Sequence, residues 1–224
     1  MKITFLGGGN MANALIGGML KQGFAAADIT VVDPGSAARD KLERTYAVNC
    51  LETGEMLDNV GDLLVLAVKP QQMKEAVAPL VGKLGNAVVV SIAAGLDLAT
   101  LARFLGGHRK IVRCMPNTPA LIGAGITGLC PLPEVSAAER EAADCVLSAV
   151  GSTVWIDNEG RMDGVTALSG SGPAYVFLFI EALQQAAADL GFTPEQGRQL
   201  AIETVQGAAA LAAHEAGLSV LVVE

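Results

Sequence analysis

Aromatic residues are scarce in this chain: six Phe, two Tyr and one Trp make up 4% of its 224 residues. Alanine and glycine fill much of the apolar share instead, which points to closely packed helices and tight turns. Charge is also sparse at 17%, while 51% of the chain is hydrophobic. That balance excludes an intrinsically disordered chain. Basic residues are outnumbered by acidic ones, 15 to 23, leaving a net charge of −8. Neither nucleic acid nor an anionic membrane is therefore expected as the main partner. An anionic cofactor remains possible, because helix N-termini and backbone N–H groups bind phosphate even in an acidic protein. The four cysteines, Cys50, Cys114, Cys130 and Cys145, form no C-x-x-C pair and no zinc-like spacing. They read as reduced, partly buried thiols, and no metal site is expected. Only His108 and His214 could serve as imidazole catalysts, and neither has a recognisable partner. No uncharged apolar stretch reaches membrane-spanning length before Gly or Pro interrupts it. The apolar start after Met1-Lys2 is likewise cut by Gly7-Gly8-Gly9-Asn10 before any cleavage pattern. A soluble, cytoplasmic protein is expected.

What is present is alternation. Short β-branched runs at 3–6, 29–32, 63–67, 88–91 and 111–114 read as strands buried on both faces. Helical patterns at 11–22, 36–44, 71–84 and 98–105 lie between them. Strand and helix repeated in this way imply parallel pairing and a doubly wound α/β sheet. After Trp155 the character changes, and from Asp163 to Gly217 the chain is almost wholly helical and Ala-rich. Gly170-Ser171-Gly172-Pro173 punctuates that stretch, with Pro173 suited to the first turn of a new helix and Ser171 or Gly172 as its cap. A second break falls at Gly191-Phe192-Thr193-Pro194, where Thr193 can cap a helix with Gln196 at the capping-box position. The fold class read here is α/β: an N-terminal Rossmann sheet over 1–155, then an all-helical domain over 156–224.

Several segments carry chemistry. Gly7-Gly8-Gly9-Asn10-Met11-Ala12 follows Leu6 at the end of the first strand and opens the first helix. It fits the dinucleotide fingerprint: Gly7 makes the tight turn, Gly9 admits a pyrophosphate, and Ala12 permits close helix–sheet packing. Asp33 ends the second strand where a ribose-binding acid is expected, which favours NAD(H). Ser36 and Arg39 just beyond could instead hold the 2′-phosphate of NADP(H), so the cofactor is read as NADP(H) or NAD(H). Ala67, Val68, Lys69 and Pro70 sit at the carboxyl end of another strand, and Ile92, Ala93 and Ala94 at the end of the next. Small residues there let the nicotinamide half pass close to the backbone. The bland alternatives are a Gly-rich turn, an Asp-Pro-Gly turn and a solvated loop lysine.

These segments, together with Arg113-Cys114-Met115-Pro116-Asn117-Thr118-Pro119 and Leu168-Ser169-Gly170-Ser171-Gly172-Pro173-Ala174-Tyr175, resemble the pyrroline-5-carboxylate reductase family, in its order. The similarity runs to about His214. The resemblance implies hydride transfer from NAD(P)H to the cyclic imine of 1-pyrroline-5-carboxylate, giving L-proline. A protonated imine is already a good hydride acceptor, so positioning can carry the catalysis and no certain catalytic residue is named. The resemblance adds Asn117 to the cofactor site. It places Glu159 near the imino acid, where a carboxylate would favour a protonated ring nitrogen. An exposed turn residue is the equally good reading of Glu159. Ser169, Gly170, Ser171, Gly172 and Pro173 would line the substrate pocket, and the helical domain would bind substrate and form a homodimer or larger homo-oligomer.

Two departures stand out. Gly54 lies where the family often carries an Asn near the adenine ribose. The family also continues into a Ser-x-Gly-Gly-x-Thr loop for the substrate carboxylate and into later helices of a swapped dimer, which these 224 residues do not contain. Alternatives are a catalytically impaired dinucleotide-binding protein of the same fold, or another reductase of the superfamily. The lysine-dependent version of the latter fits poorly, as no Lys follows Lys110.

Overall fold

The computed structural model describes residues 1–214. The terminal apolar run at 218–223 lies outside them. Eight strands form one sheet in the order β3-β2-β1-β4-β5-β6-β7-β8. The first six are β1 (Ile3–Leu6), β2 (Ile29–Val32), β3 (Asn49–Leu51), β4 (Leu63–Leu66), β5 (Val88–Ser91) and β6 (Ile111–Met115), all paired in parallel. This is the Rossmann order, whose direction reverses between β1 and β4. Alternate residues of each strand go to opposite faces. Ile3, Phe5, Val65 and Val90 join one core layer, whereas Leu6, Leu64, Leu66 and Val89 join the other. That is why these runs are apolar at every position rather than at every second one.

Helices α1 (Asn10–Lys21), α2 (Ser36–Tyr46), α3 (Met73–Val77) and α4 (Leu98–Phe104) connect the parallel strands. In α1, Ala12 and Ile16 are fully buried, and Leu15 and Met19 complete the stripe that packs on the sheet. The helix expected over 71–84 is much shorter. A 3₁₀ turn at Pro70–Gln72 leads into α3, a second at Ala78–Leu80 follows, and the chain then turns at Gly82. Pro79 and Gly82 end the helical pattern there.

Two further strands complete the sheet: β7 (Gly125–Pro131), antiparallel to β6, and β8 (Gly151–Trp155), parallel to β7. Helix α5 (Ala137–Leu147) joins them, opened by a capping box between Ser136 and Glu139. Neither strand is evident from hydrophobic pattern, and β3 is too short to be. A helical turn, α6 (Met162–Val165), then runs into a π-helical turn at Thr166–Gly170.

By contacts the chain forms two compact units, one ending at Ser171 and the other beginning at Gly172. The second contains α7 (Gly172–Asp189) and α8 (Pro194–His214), packed on each other. The α8 start is built as its sequence implies: the Gln196 N–H donates to the Thr193 hydroxyl (3.2 Å), and the Thr193 N–H donates to the Gln196 side-chain oxygen (3.0 Å). Close packing of the two helices centres on Ala187 and Ala201, with Gly197 leaving only 3.1 Å from where its Cβ would be to that of Ala187.

Candidate functional site

The carboxyl ends of β1, β4, β5 and β6 form one edge, because Leu6 pairs with Leu66, Leu66 with Ser91, and Ser91 with Arg113. The loops after them are therefore neighbours: Gly7–Gly9, Ala67–Pro70, Ile92–Ala94 and Met115–Asn117. Open α/β sheets bind ligands at such an edge, beside the strand-order reversal. Gly7, at φ +104°, lies where a Cβ would come within 2.7 Å of the Ala67 carbonyl oxygen, so both its backbone angle and its neighbour require glycine. Gly9 differs. Its φ is −71°, and nothing lies within 4 Å of a Cβ built there. The protein's own packing gives no reason for glycine at that position, whereas a phosphate seated on the first turn of α1 would. Asn10 and Met11 begin that helix and no acidic residue occupies its first turn.

Asp33 holds the turn together. Its Oδ2 accepts from the Gly8 N–H (2.7 Å) and its Oδ1 from the Gly35 N–H (2.8 Å). Arg39 donates to the Asp33 carbonyl oxygen (2.7 Å) and lies 3.8 Å from Glu52. Both residues are thus already engaged within the protein beside the glycine turn. Ser36, at the exposed start of α2, is not engaged in this way. A cleft of about 570 Å³ opens beside the glycine turn, lined by Leu6, Gly7, Gly9, Asp33, Ala67, Val68 and Lys69. Its other walls come from Glu52, Thr53 and Gly54 on one side and from Gln72, Glu75, Ala76 and Pro79 on another. Of these residues only Gly54 is singled out from the sequence, through the family resemblance; the short β3 conceals the rest of the first group and an overlong helix the second. Ile92, Ala93, Ala94, Pro70 and Asn117 lie along the same edge outside the cleft. Asn117 is buried, and its side-chain oxygen accepts from the Ile126 N–H (3.0 Å), fixing the loop after β6.

Glu159 is neither a free turn carboxylate nor simply exposed. Its Oε1 accepts from the Leu98 N–H at the start of α4 (2.7 Å) and from buried Arg113 (3.1 Å). Arg113 also lies 3.6 Å from Asp163. Glu159 thereby ties β6, α4 and the segment leading to α6. Ser169 and Gly170 lie in the π-helical turn; the Ser169 hydroxyl donates to the Val165 carbonyl and the Ser171 N–H to that of Thr166. Gly172 and Pro173 open α7 in the second unit.

The thiols offer no nucleophile at this edge. Burial first, then Glu43, pushes Cys50 up to about 11, and burial holds Cys114 well above the ordinary thiol range. His108 does have a partner after all, the Ala87 carbonyl oxygen at 2.9 Å, which suits a structural role.

The relatives show the family. A pyrroline-5-carboxylate reductase from Pseudomonas aeruginosa is 45% identical over 214 residues, covering 94% of this chain and 78% of that protein. The chain belongs to the pyrroline-5-carboxylate reductase family. A family member from Coxiella burnetii has a solved structure that superposes with a TM-score of 0.91 at 37% identity, over 96% of this chain and 81% of the other. The Plasmodium falciparum family structure, solved with NADP bound, gives 0.85 at 29% identity, over 97% and 80%. The family model for the reductase's dimerisation region matches residues 159–222, and that for the coenzyme F420-dependent NADP oxidoreductases matches 2–95. The second match spans the glycine turn, the cleft and β5.

Proposed function

We propose that this reductase family member converts 1-pyrroline-5-carboxylate to L-proline, the closing step of proline biosynthesis, with NADPH or NADH as the reductant. The single observation that carries the reading is Gly9: a glycine with ordinary backbone angles and empty space around it, on the first turn of a helix in a Rossmann edge. When bound, the dinucleotide supplies hydride to the imine carbon, and the ring nitrogen ends as the amine. This chain's part is to hold, orient and shield. The Gly7–Ala12 turn receives the pyrophosphate, while Asp33, Ser36 and Arg39 meet the adenosine ribose. Lys69 and the Ala93-Ala94 pair flank the path toward the loop that Asn117 fixes. The Glu159 carboxylate favours the protonated ring nitrogen. Ser169 to Pro173 form the substrate wall.

We assign residues 1–155 to dinucleotide binding and 156–224 to substrate binding and dimerisation. Among the described residues, one helical stretch, Glu159–Asp189, is long and apolar enough by length and composition to cross a membrane. A second copy of this chain accounts for that apolar surface within a cytoplasmic homodimer or larger homo-oligomer, and the dimerisation match covers the same residues. The test is spectrophotometric: oxidation of NADPH or NADH dependent on added pyrroline-5-carboxylate supports the assignment. Normal dinucleotide binding with no turnover under either cofactor would leave only an inert binding protein.

A further inference from the structure

Lys83 follows the turn at Gly82, and its ammonium makes three hydrogen bonds. It donates to the carbonyl oxygens of Gly54 (3.2 Å), Glu55 (3.0 Å) and Leu57 (2.6 Å). Three acceptors saturate an ammonium, and among the described residues Lys83 forms no salt bridge. The carbonyls belong to the 3₁₀ turn Gly54–Met56 and the residue after it, and that of Gly54 also accepts the Leu57 N–H (3.3 Å).

The aim of the side chain is set by a local turn. The Lys83 N–H donates to the Leu80 carbonyl (2.9 Å). Val81 has φ −59° and ψ 124°, and Gly82 has φ +87°. These are the angles of a type II turn, which requires glycine or asparagine at its third position. The turn follows directly on Pro79 and Leu80, so Lys83 projects from the end of one cleft wall to the other.

That other wall has few anchors of its own. Glu52, Thr53, Glu55 and Met56 are exposed, leaving buried Gly54 and Leu57 to hold it. Gly54 seats on Leu80, where a Cβ would come within 2.8 Å of the leucine side chain. The remaining backbone bonds, Met56 to Thr53 and Leu57 to Gly54, are internal to the turn.

We propose that Lys83 is a positioning residue for the dinucleotide: it clamps the 54–57 turn to the segment after α3 and so sets the width of the cleft at its adenosine end. The proposal rests on the dinucleotide reading above. It places a cation in cofactor binding without contact to the cofactor.

Titration calorimetry with NADH and with NADPH on the purified chain tests it. Lys83→Met should weaken the better-bound cofactor about tenfold, equivalent to about 1.4 kcal/mol. Lys83→Arg, which keeps the cation, should recover most of that loss. Gly82→Ala, which strains the turn but leaves the lysine, should weaken binding in the same direction by less. Hydrogen exchange at the Met56 and Leu57 amides should quicken in Lys83→Met and return in Lys83→Arg, a pattern that a general loss of stability would not give. Unchanged affinity in Lys83→Met, or a loss that arginine does not restore, would overturn the clamp. Failure of the unsubstituted protein to bind either dinucleotide would instead overturn the reading beneath it.

Discussion

The two units differ most in where their large apolar residues sit. In the first, Phe5, Ile16 and Leu66 are fully buried, and two core layers enclose both faces of the sheet. In the second, five consecutive residues of α7, Tyr175 to Phe179, are 42–67% exposed, and Leu190, Phe192, Leu200 and Leu211 are exposed as well. Consecutive residues point all round a helix, so no single neighbour within the unit could cover them. A helix apolar on every side is ordinarily buried on every side. The first unit completes its core from its own chain, whereas the second is half of something.

Phe5→Ala would break the comparison on the side of the first unit. Phe5 is fully buried at the centre of β1, and truncation should cost about 3–5 kcal/mol, read by denaturant titration. A cost under about 1 kcal/mol would mean that this core is looser than it looks.

Phe179→Asp addresses the second unit. Phe179 is 57% exposed in the single chain, so the substitution should leave the isolated fold intact. Burial of an unpaired carboxylate in an interface should weaken self-association at least about a hundredfold. Sedimentation equilibrium reads this directly, and unaltered association would place the interface elsewhere.

Gly9→Val sharpens the contrast between packing and binding within the first unit. With nothing within 4 Å of the new side chain, stability should change by no more than about 1 kcal/mol. Dinucleotide affinity, by contrast, should fall at least about tenfold because the pyrophosphate approach is blocked. Calorimetry and thermal melts together separate the two effects, and unchanged affinity in a folded protein removes the phosphate site from this turn.

The smallest effect concerns pH. The Asp97 side chain accepts from the Thr100 N–H (2.6 Å) at the start of α4, and that bond first of all holds its pKa below the ordinary carboxylate range. A carboxyl whose pKa is depressed on folding stabilises the fold above its unfolded pKa, near 3.9. The contribution disappears as pH falls through the lower folded value. Asp97→Ala should therefore cost about 1 kcal/mol at neutral pH, and the two proteins should converge in stability as pH falls below about 4. A difference that persists at pH 2 would point to lost packing instead.

The same contrast explains what could be read from the sequence. Strands β1, β2, β4, β5 and β6 are legible because both their faces are buried, so Ile3 to Leu6 or Leu63 to Leu66 are apolar without a break. Strand β7 is hidden by Gly125 and Gly128, which resemble breakers. They are glycine because of close approach: a Cβ on Gly125 would press on Ala120 at 2.8 Å, and one on Gly128 on Val165 at 2.7 Å. At the site, the Gly7–Ala12 turn and the strand-end loops are legible because spacing alone defines them. The engagement of Asp33 with the Gly8 and Gly35 amides, the Glu159–Arg113 pair and the Lys83 clamp are not. Each joins residues 25 or more positions apart, except Asp33 with Gly35, and no local pattern records such a pairing.

Sedimentation of the unsubstituted protein at micromolar concentration tests the central contrast most directly. The account predicts a mass of two chains or a larger multiple, held through residues after Asp163. A single species of one-chain mass, stable and free of aggregation with α7 uncovered, would contradict it.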